Sequence, residues 1–158
     1  IYMQTVIDAH CSHVFAKLYL SKAPITAADI LNDRVVPFYN EHNVEIEHLL
    51  TDNGREFCGR ELHHPFEIFL ALNQIAHRHT KVRSPETNGF VERFHRTVFG
   101  IAFRKTFYES VEHLQKDLDS YVDFYNRERA HQGYRTQGRT PYKAFLDGRA
   151  NPTQERVA

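Results

Sequence analysis

The sequence is short of cysteine, of long apolar runs and of net charge. Its 158 residues include only two cysteines, Cys11 and Cys58, and their spacing matches neither a disulfide framework nor a cysteine zinc site. Such sparse cysteine suits a reducing cytoplasm, with both thiols as buried or half-buried fillers. No apolar run approaches a membrane span, and we find no signal peptide or repeat of fixed period. We therefore expect a soluble cytoplasmic protein.

The charge balance excludes a protein that attracts nucleic acid through its overall field. Lys plus Arg and Asp plus Glu each total 20, so the formal net charge is zero and the pI is about 7.3. Any surface for a polyanion must therefore be local. The 11 histidines include several in arginine-rich clusters, which modest acidification would make strongly cationic.

Apolar periodicity predicts one α/β domain with a β-β-α-β-α-β order, followed by further helices. The helix near Thr26 takes that residue as its N-cap, and Pro37 is expected to kink or end it. The predicted elements are strands 2–7, 14–20 and 48–50, helices from Thr26 and over 66–72, strand 75–80, a helix opening at Val91, and helix 111–125.

Two sets of apolar residues are predicted to pack in the core. The helix that opens at Val91 has an apolar stripe of Val91, Phe94, Val98 and Ile101. The aromatic residues between the last two helices, Phe103, Phe107 and Tyr108, are assigned to the core.

Asp52 follows the apolar run 48–50, which lacks a two-residue alternation and so predicts a strand buried on both faces. Open α/β sheets place their chemistry just beyond the carboxyl ends of such strands. Asn53 and Gly54 predict a tight turn in which glycine takes positive φ. Taken alone, Asp52 is also consistent with an acid that simply opens a surface turn.

Glu92 lies in the first turn of the next predicted helix, where it and Asp52 can reach one sheet edge. Converging carboxylates without a cysteine or histidine ligand set favour Mg²⁺ or Mn²⁺, and a pair of such ions serves in-line attack at a phosphodiester. Arg93 and Arg96, with His95 between them, are placed to meet flanking phosphates. The alternative for Glu92 is a solvated residue paired with Arg96 four positions later.

Two motifs together carry a family resemblance: TDNGREF at 51–57 and SPETNGFVERFH at 84–95. They resemble the integrase catalytic core of bacterial insertion-sequence transposases and retroviral integrases. Segments 125–134 and 138–142 resemble the closing part of the transposase branch. One departure is Glu86, where the family usually carries Gln.

The resemblance implies a ribonuclease-H-like mixed sheet flanked by helices, with a helical C-terminal part. It further implies a catalytic Asp-Asp-Glu triad in which Asp52 is the second acid and Glu92 the third, both ligands of a two-metal Mg²⁺ or Mn²⁺ site. The implied activity is DNA strand cleavage and strand transfer during transposition, by a homo-oligomer in a synaptic complex and with no membrane partner. The expected DNA-binding residues are Lys81, Arg83, Asn88, Arg93, His95 and Arg96.

The first acid of the triad is the point where this sequence departs from the pattern. Asp8 ends an apolar strand, but its segment resembles the end of the second strand and its hairpin turn, so we expect a turn role for it. The chain begins with Ile and already reads as strand, which predicts that the first, central strand and its Asp lie upstream. We therefore expect a catalytic core at 1–146, partial at its N-terminus and inactive as this fragment, with a polar tail at 147–158.

Two alternatives stay open at this stage. One is a ribonuclease H or Holliday-junction nuclease on the same fold, which the VERF motif at 91–94 argues against. The other is a degenerate remnant that binds DNA without cutting. The histidine pairs His63 with His64 and His10 with His13 are interpreted as polar loops rather than metal ligands. A local DNA or subunit contact is expected from Tyr125, Asn126, Arg127, Arg129 and His131.

Overall fold

A computed structural model describes residues 1–60, 63–80, 89–101, 103 and 107–150, and the predicted β-β-α-β-α-β order is confirmed. A π-helical segment, Leu31–Val35, joins the first two helices. In the described part of the chain no helix is long and apolar enough to span a membrane. The elements are β1 Tyr2–Ile7, β2 Val14–Tyr19, α1 Pro24–Ile30, α2 Val36–Glu41, β3 His48–Thr51, α3 Pro65–Leu72, β4 Ala76–His79, α4 Gly89–Ile101, α5 Val111–Arg127 and α6 Pro141–Ala150.

The strands form two two-stranded sheets, β1 with β2 and β3 with β4. By chain contacts the molecule divides into two compact units. Unit 1 contains Ile1–Gln4 and Lys17–Gly89, and unit 2 contains Thr5–Ala16 and Phe90–Ala158. Each unit is described below in its own terms.

The turn between β1 and β2 is built around Asp8. Its Oδ1 accepts the backbone N–H groups of His10 at 2.7 Å and Cys11 at 3.1 Å, and its own N–H donates to the carbonyl of His13 at 2.8 Å. Ser12 takes a positive φ of 64°, which lets the chain close this short connection. The carboxylate thus performs the turn role predicted from sequence, because it satisfies N–H groups that the hairpin leaves unpaired.

The first helix begins three residues earlier than predicted, at Pro24 with Ala23 as its N-cap. Thr26 is therefore not its N-cap: the Thr26 hydroxyl donates back to the carbonyl of Ala23 at 2.7 Å. Pro37 lies in the first turn of α2, so the chain stays helical on both sides of it. Proline has no backbone N–H, so it cannot donate to the preceding turn. The helix accommodates this through the π-helical turn, in which Val36 N–H reaches the Leu31 carbonyl five residues back.

Unit 1 is organised by the parallel pair β3 and β4, in register His48 with Ala76 through Thr51 with His79. Helix α3 contacts β4 and also α1. The buried side chains here include Phe66, Leu70 and Ile30. The prediction that β3 is buried on both faces is wrong, since Leu50 is 52% exposed and the strand alternates exposed with half-buried residues. In the described residues β3 pairs with β4 alone, which leaves it half-solvated.

Unit 2 contains α4, α5 and α6 with the tip of the β1–β2 hairpin. In the predicted apolar stripe of α4, Phe94 and Val98 are buried but Ile101 is 62% exposed. The buried part of the stripe therefore ends one turn earlier than predicted. Phe107, assigned to the core from its spacing, is 88% exposed. Sequence reading also missed α6, which starts with Pro141 and extends past the proposed boundary at 146.

Asn126 closes α5 against the hairpin. Its Oδ1 accepts the N–H of Val14 at 2.9 Å and its Nδ2 donates to the carbonyl of Val14 at 2.8 Å. Because both backbone groups of one strand residue point the same way, the side-chain amide pairs with the edge of β2 as a neighbouring strand would. Asn126 is 4% exposed and Tyr125 is also buried. The predicted DNA or subunit contact through these two residues is therefore wrong.

Candidate active site

Asp52 is the first residue after β3, at the carboxyl end of the parallel pair. Its side chain is exposed, and Oδ1 accepts the N–H of Gly54 at 2.8 Å. Thr51 is anchored below it, with Oγ1 2.8 Å from His77 Nε2 of β4. The carboxylate is thus held at a strand end by its own turn while remaining open to solvent, as a ligand for a substrate or cation requires.

Gly54 fits this turn for a reason other than the predicted one. Its φ is not positive, so no left-handed conformation is involved. Instead, a Cβ at this position would lie 2.8 Å from Asp52 Oδ1 and 2.7 Å from Glu56 Oε2. Glycine leaves both carboxylates in place here, whereas a side chain would displace them.

Replacing Gly54 by Ala should impair the Asp52 carboxylate more than the fold. The side-chain ends of Asp52 and Glu56 can move aside, so the loss of stability should be about 1 kcal/mol. The displaced carboxylate should lower metal-dependent DNA cleavage by roughly 10-fold or more, because small misplacements of reacting groups are costly. Cleavage rates and melting temperatures measure the two effects.

Gly100→Ala is the matched control, since nothing lies within 4 Å of a Cβ at Gly100 in α4. It should keep wild-type cleavage with unchanged or slightly higher stability. Equal cleavage by Gly54→Ala and the wild type would show that the close approach to Asp52 has no functional role.

An ion pair between an exposed lysine and a buried glutamate, which sequence reading missed, lies near Asp52. Glu56 is 7% exposed, and its Oε1 is 2.8 Å from the ammonium of Lys22 in the loop after β2. The hydrogen bond and charge of Glu56 raise the pKa of Lys22, with a smaller contribution from Asp52. Glu56 lies within the TDNGREF motif and was available to sequence reading, whereas its pairing with Lys22 depends on tertiary structure.

Glu92 lies in the first turn of α4 and is exposed, as are Arg93 and Arg96. His95 on the same turn is half-buried, and its Nε2 is 2.9 Å from the Thr5 hydroxyl. Burial lowers the pKa of His95 against the opposing effect of Glu92. His95 therefore titrates below the ordinary histidine range, and Nε2 is unavailable to a phosphate while it bonds Thr5.

The predicted site residues lie in different parts of the structure. Asp52 belongs to unit 1 and Glu92 to unit 2, so their convergence stays a prediction. Lys81, Arg83 and Asn88, three of the expected DNA contacts, lie outside the described residues.

The donor chemistry of Asp52 and Glu92 fits the hard cation expected of them. Both are exposed carboxylates, and among the residues that the structure describes neither is in an ion pair. Oxygen ligands with uncommitted negative charge are those that Mg²⁺ and Mn²⁺ prefer.

Comparison with known proteins points to integrases. Residues 73–141 match the family model of the integrase core domain. The protein named Putative integrase ORF3, of Spiroplasma virus SpV1-C74, is 31% identical over 155 residues that cover 92% of this chain and 42% of the viral protein. The chain thus spans less than half the length of that relative.

Two solved structures show the same fold at low identity. The catalytic core domain of BIV integrase has a TM-score of 0.64 and 20% identity, covering 96% of this chain and 90% of that one. The simian T-cell lymphotropic virus intasome, solved in complex with the PP2A regulatory subunit B56 gamma, has a TM-score of 0.62 and 15% identity. That match covers 90% of this chain and 47% of the other.

These findings define a mixed α/β fold of the ribonuclease-H-like class, similar to the retroviral integrase catalytic core. Within that class the family-model match at residues 73–141 and the viral relative support an integrase core. The predictions of fold and family are confirmed.

Proposed function

We propose that this chain is the catalytic core of a DNA transposase, which cleaves DNA strands and joins them to a target during transposition. The observation that carries the proposal is the placement of the two family motifs. Asp52 leaves the carboxyl end of β3 as an exposed, oriented carboxylate, and Glu92 is exposed in the first turn of α4. Integrase cores are polynucleotidyl transferases, and the whole protein's reaction is proposed on that basis.

In this proposal Asp52 and Glu92 hold Mg²⁺ or Mn²⁺, and the chain's other groups orient them. When bound, two such ions supply activation of the attacking oxygen and stabilisation of the leaving one. The N–H of Gly54 fixes the Asp52 carboxylate through Oδ1. Arg93 and Arg96, exposed on the turn of α4 that carries Glu92, bind phosphates beside the scissile bond.

The first acid of the triad is assigned to a residue other than Asp8. The support is that Asp8 Oδ1 already accepts two backbone N–H groups of its own turn. The proposal includes assembly of at least two copies on transposon ends and target DNA. The transposase branch is favoured by the segments 125–134 and 138–142, whose sequence resembles that branch.

The proposal predicts a DNA affinity that depends steeply on salt, because a chain with no net charge must bind phosphate through a local cluster. Arg93→Ala and Arg96→Ala should each weaken binding across all sequences. Each should also reduce the slope of log affinity against log salt by about 1, the effect of losing one phosphate contact. Titrations of labelled duplex at several salt concentrations measure both quantities.

Lys116→Ala is the control, since Lys116 is exposed on α5 and is not a predicted contact. It should leave the slope unchanged. A flat salt response in the wild type, or equal slopes in the Arg96→Ala and Lys116→Ala variants, would contradict this surface. The chemistry itself is tested by carboxylate substitution, as the Discussion describes.

A further inference from the structure

Three polar side chains from α3 and β4 converge beside the β3 strand end. His77 and His79 are two residues apart in β4, so they lie on the same face of the strand. Their ring centroids are 4.1 Å apart. Glu67 enters from the first turn of α3, with Oε1 2.8 Å from His77 Nδ1. One ligand atom from each of the three residues lies within 4.8 Å of the others.

The cluster is partly shielded from water. The side chains of His77 and Glu67 are only 8% and 14% exposed, while His79 faces solvent. Phe66 packs edge-on against the His77 ring at 5.2 Å. A half-shielded set of imidazole and carboxylate donors with one open side permits a cation to enter and then binds it strongly.

Cys58, in the turn that follows Asp52, offers a fourth donor on the His79 side, next to the three-residue group. Its Sγ lies 3.5 Å from His79 Nδ1 and 3.8 Å from the backbone carbonyl of Asp52. A tetrahedral zinc ion with ordinary bond lengths places its nitrogen and sulfur ligands about 3.6 Å apart, close to the observed separation.

We propose that Glu67, His77, His79 and Cys58 form a binding site for a divalent transition metal of the zinc class. The proposal assigns a metal to a place distinct from the Asp52 and Glu92 carboxylates and does not depend on the proposed function. Bound metal ties α3, β4 and the turn after β3 together. With Glu67 and a Cys58 thiolate as the anionic ligands, a divalent ion makes the site neutral.

The ligand types select the class of metal. Two imidazoles and a thiolate favour Zn²⁺, Co²⁺ or Ni²⁺, whereas Mg²⁺ prefers an all-oxygen shell. Tetrahedral coordination needs a nitrogen to oxygen separation of about 3.3 Å, so the 2.8 Å contact between His77 and Glu67 must open by about 0.5 Å as metal replaces the shared proton. Glu67 lies in the first turn of α3, and rotation of its side chain can make that shift.

Metal binding to the purified 158-residue chain tests the site. After chelator treatment, the chain should bind one equivalent of Zn²⁺ in competition with a chromophoric chelator, and millimolar Mg²⁺ should not displace it. Co²⁺ should give the absorption of a tetrahedral ion with a sulfur charge-transfer band. His79→Gln should weaken Zn²⁺ at least about 10-fold, the lower bound expected when even an outer partner of a metal site is lost.

Two further variants separate this site from adventitious binding by other histidines. Cys58→Ser should retain Co²⁺ binding but lose the sulfur band, which a merely structural role for Cys58 would not produce. His63→Gln, an exposed histidine outside the cluster, should bind like the wild type. Circular dichroism establishes that each variant is folded. The proposal fails if His79→Gln binds Zn²⁺ as tightly as His63→Gln, or if the Co²⁺ complex of the wild type lacks the sulfur band.

Discussion

Asp52→Asn and Glu92→Gln should each abolish metal-dependent cleavage of donor DNA by the full-length protein. Each removes a negative oxygen ligand from the proposed Mg²⁺ or Mn²⁺ site, and several kcal/mol of lost transition-state stabilisation corresponds to about a 10³-fold slower reaction or more. The assay measures nicking of labelled transposon-end duplex with each ion. Both variants should keep wild-type affinity for the duplex, since neither changes the arginines of α4.

Folding should be unaffected because both side chains are exposed. An Asn at position 52 keeps the oxygen that accepts the Gly54 N–H, so the turn after β3 is preserved. Asp8→Asn is the matched control: it also keeps the acceptor for His10 and Cys11 and should leave cleavage nearly unchanged. Substantial cleavage by Asp52→Asn would overturn the assignment of that residue. Loss of cleavage in a stable Asp8→Asn variant would return the first acid of the triad to Asp8.

Local patterns sufficed to predict the element order and the positions of the two motif acids. Apolar periodicity located α3, α4 and α5 to within about two residues, the usual uncertainty of helix ends. The role of Asp8 followed from turn chemistry, which is set by residues only a few positions apart. These features share one property, that the interactions which fix them are close in sequence.

Features that depend on distant partners were mispredicted or missed. The apolar run at 48–50 carries no information about how many strands flank β3, and Leu50 is 52% exposed. His95 has an ordinary sequence context, but Thr5, 90 positions away, binds its ring. Phe107 has the spacing of a core residue, yet it is 88% exposed among the residues that the structure describes.

The metal cluster illustrates the same limit. The alternation of His77 and His79 is visible in the sequence and predicts a shared face of β4. That Glu67 and Cys58 meet this face depends on how α3 and the turn after β3 pack, which no short-range pattern specifies. Sequence reading therefore did not identify these two histidines as ligands.

Asn126→Ala should be among the most destabilising single substitutions in unit 2. It removes both partners of Val14, whose N–H and carbonyl are buried beneath the end of α5. Each buried group left unpaired costs about 1–3 kcal/mol, so we expect a loss of roughly 2–6 kcal/mol from a total that is typically about 5–15 kcal/mol. Chemical denaturation measures the loss, and hydrogen exchange of the Val14 amide should accelerate with it.

Asn126→Asp distinguishes the paired amide from simple space filling, because it keeps the size of the side chain. One carboxylate oxygen still accepts the Val14 N–H, but the other replaces Nδ2, which lies 2.8 Å from the Val14 carbonyl oxygen, and two acceptors then repel each other. At neutral pH this variant should be at least as unstable as Asn126→Ala, since it also buries a charge. Protonation of the carboxyl provides an O–H donor for that carbonyl, so its stability relative to wild type should rise as the pH falls. Asn73→Ala is the control: Asn73 is exposed at the end of α3 and its amide donates to the nearby Phe69 carbonyl, so the change should be about 0.5 kcal/mol. If Asn126→Ala and Asn73→Ala were equally stable, or if Asn126→Asp lost stability relative to wild type on acidification, the amide would not be pairing with the edge of β2.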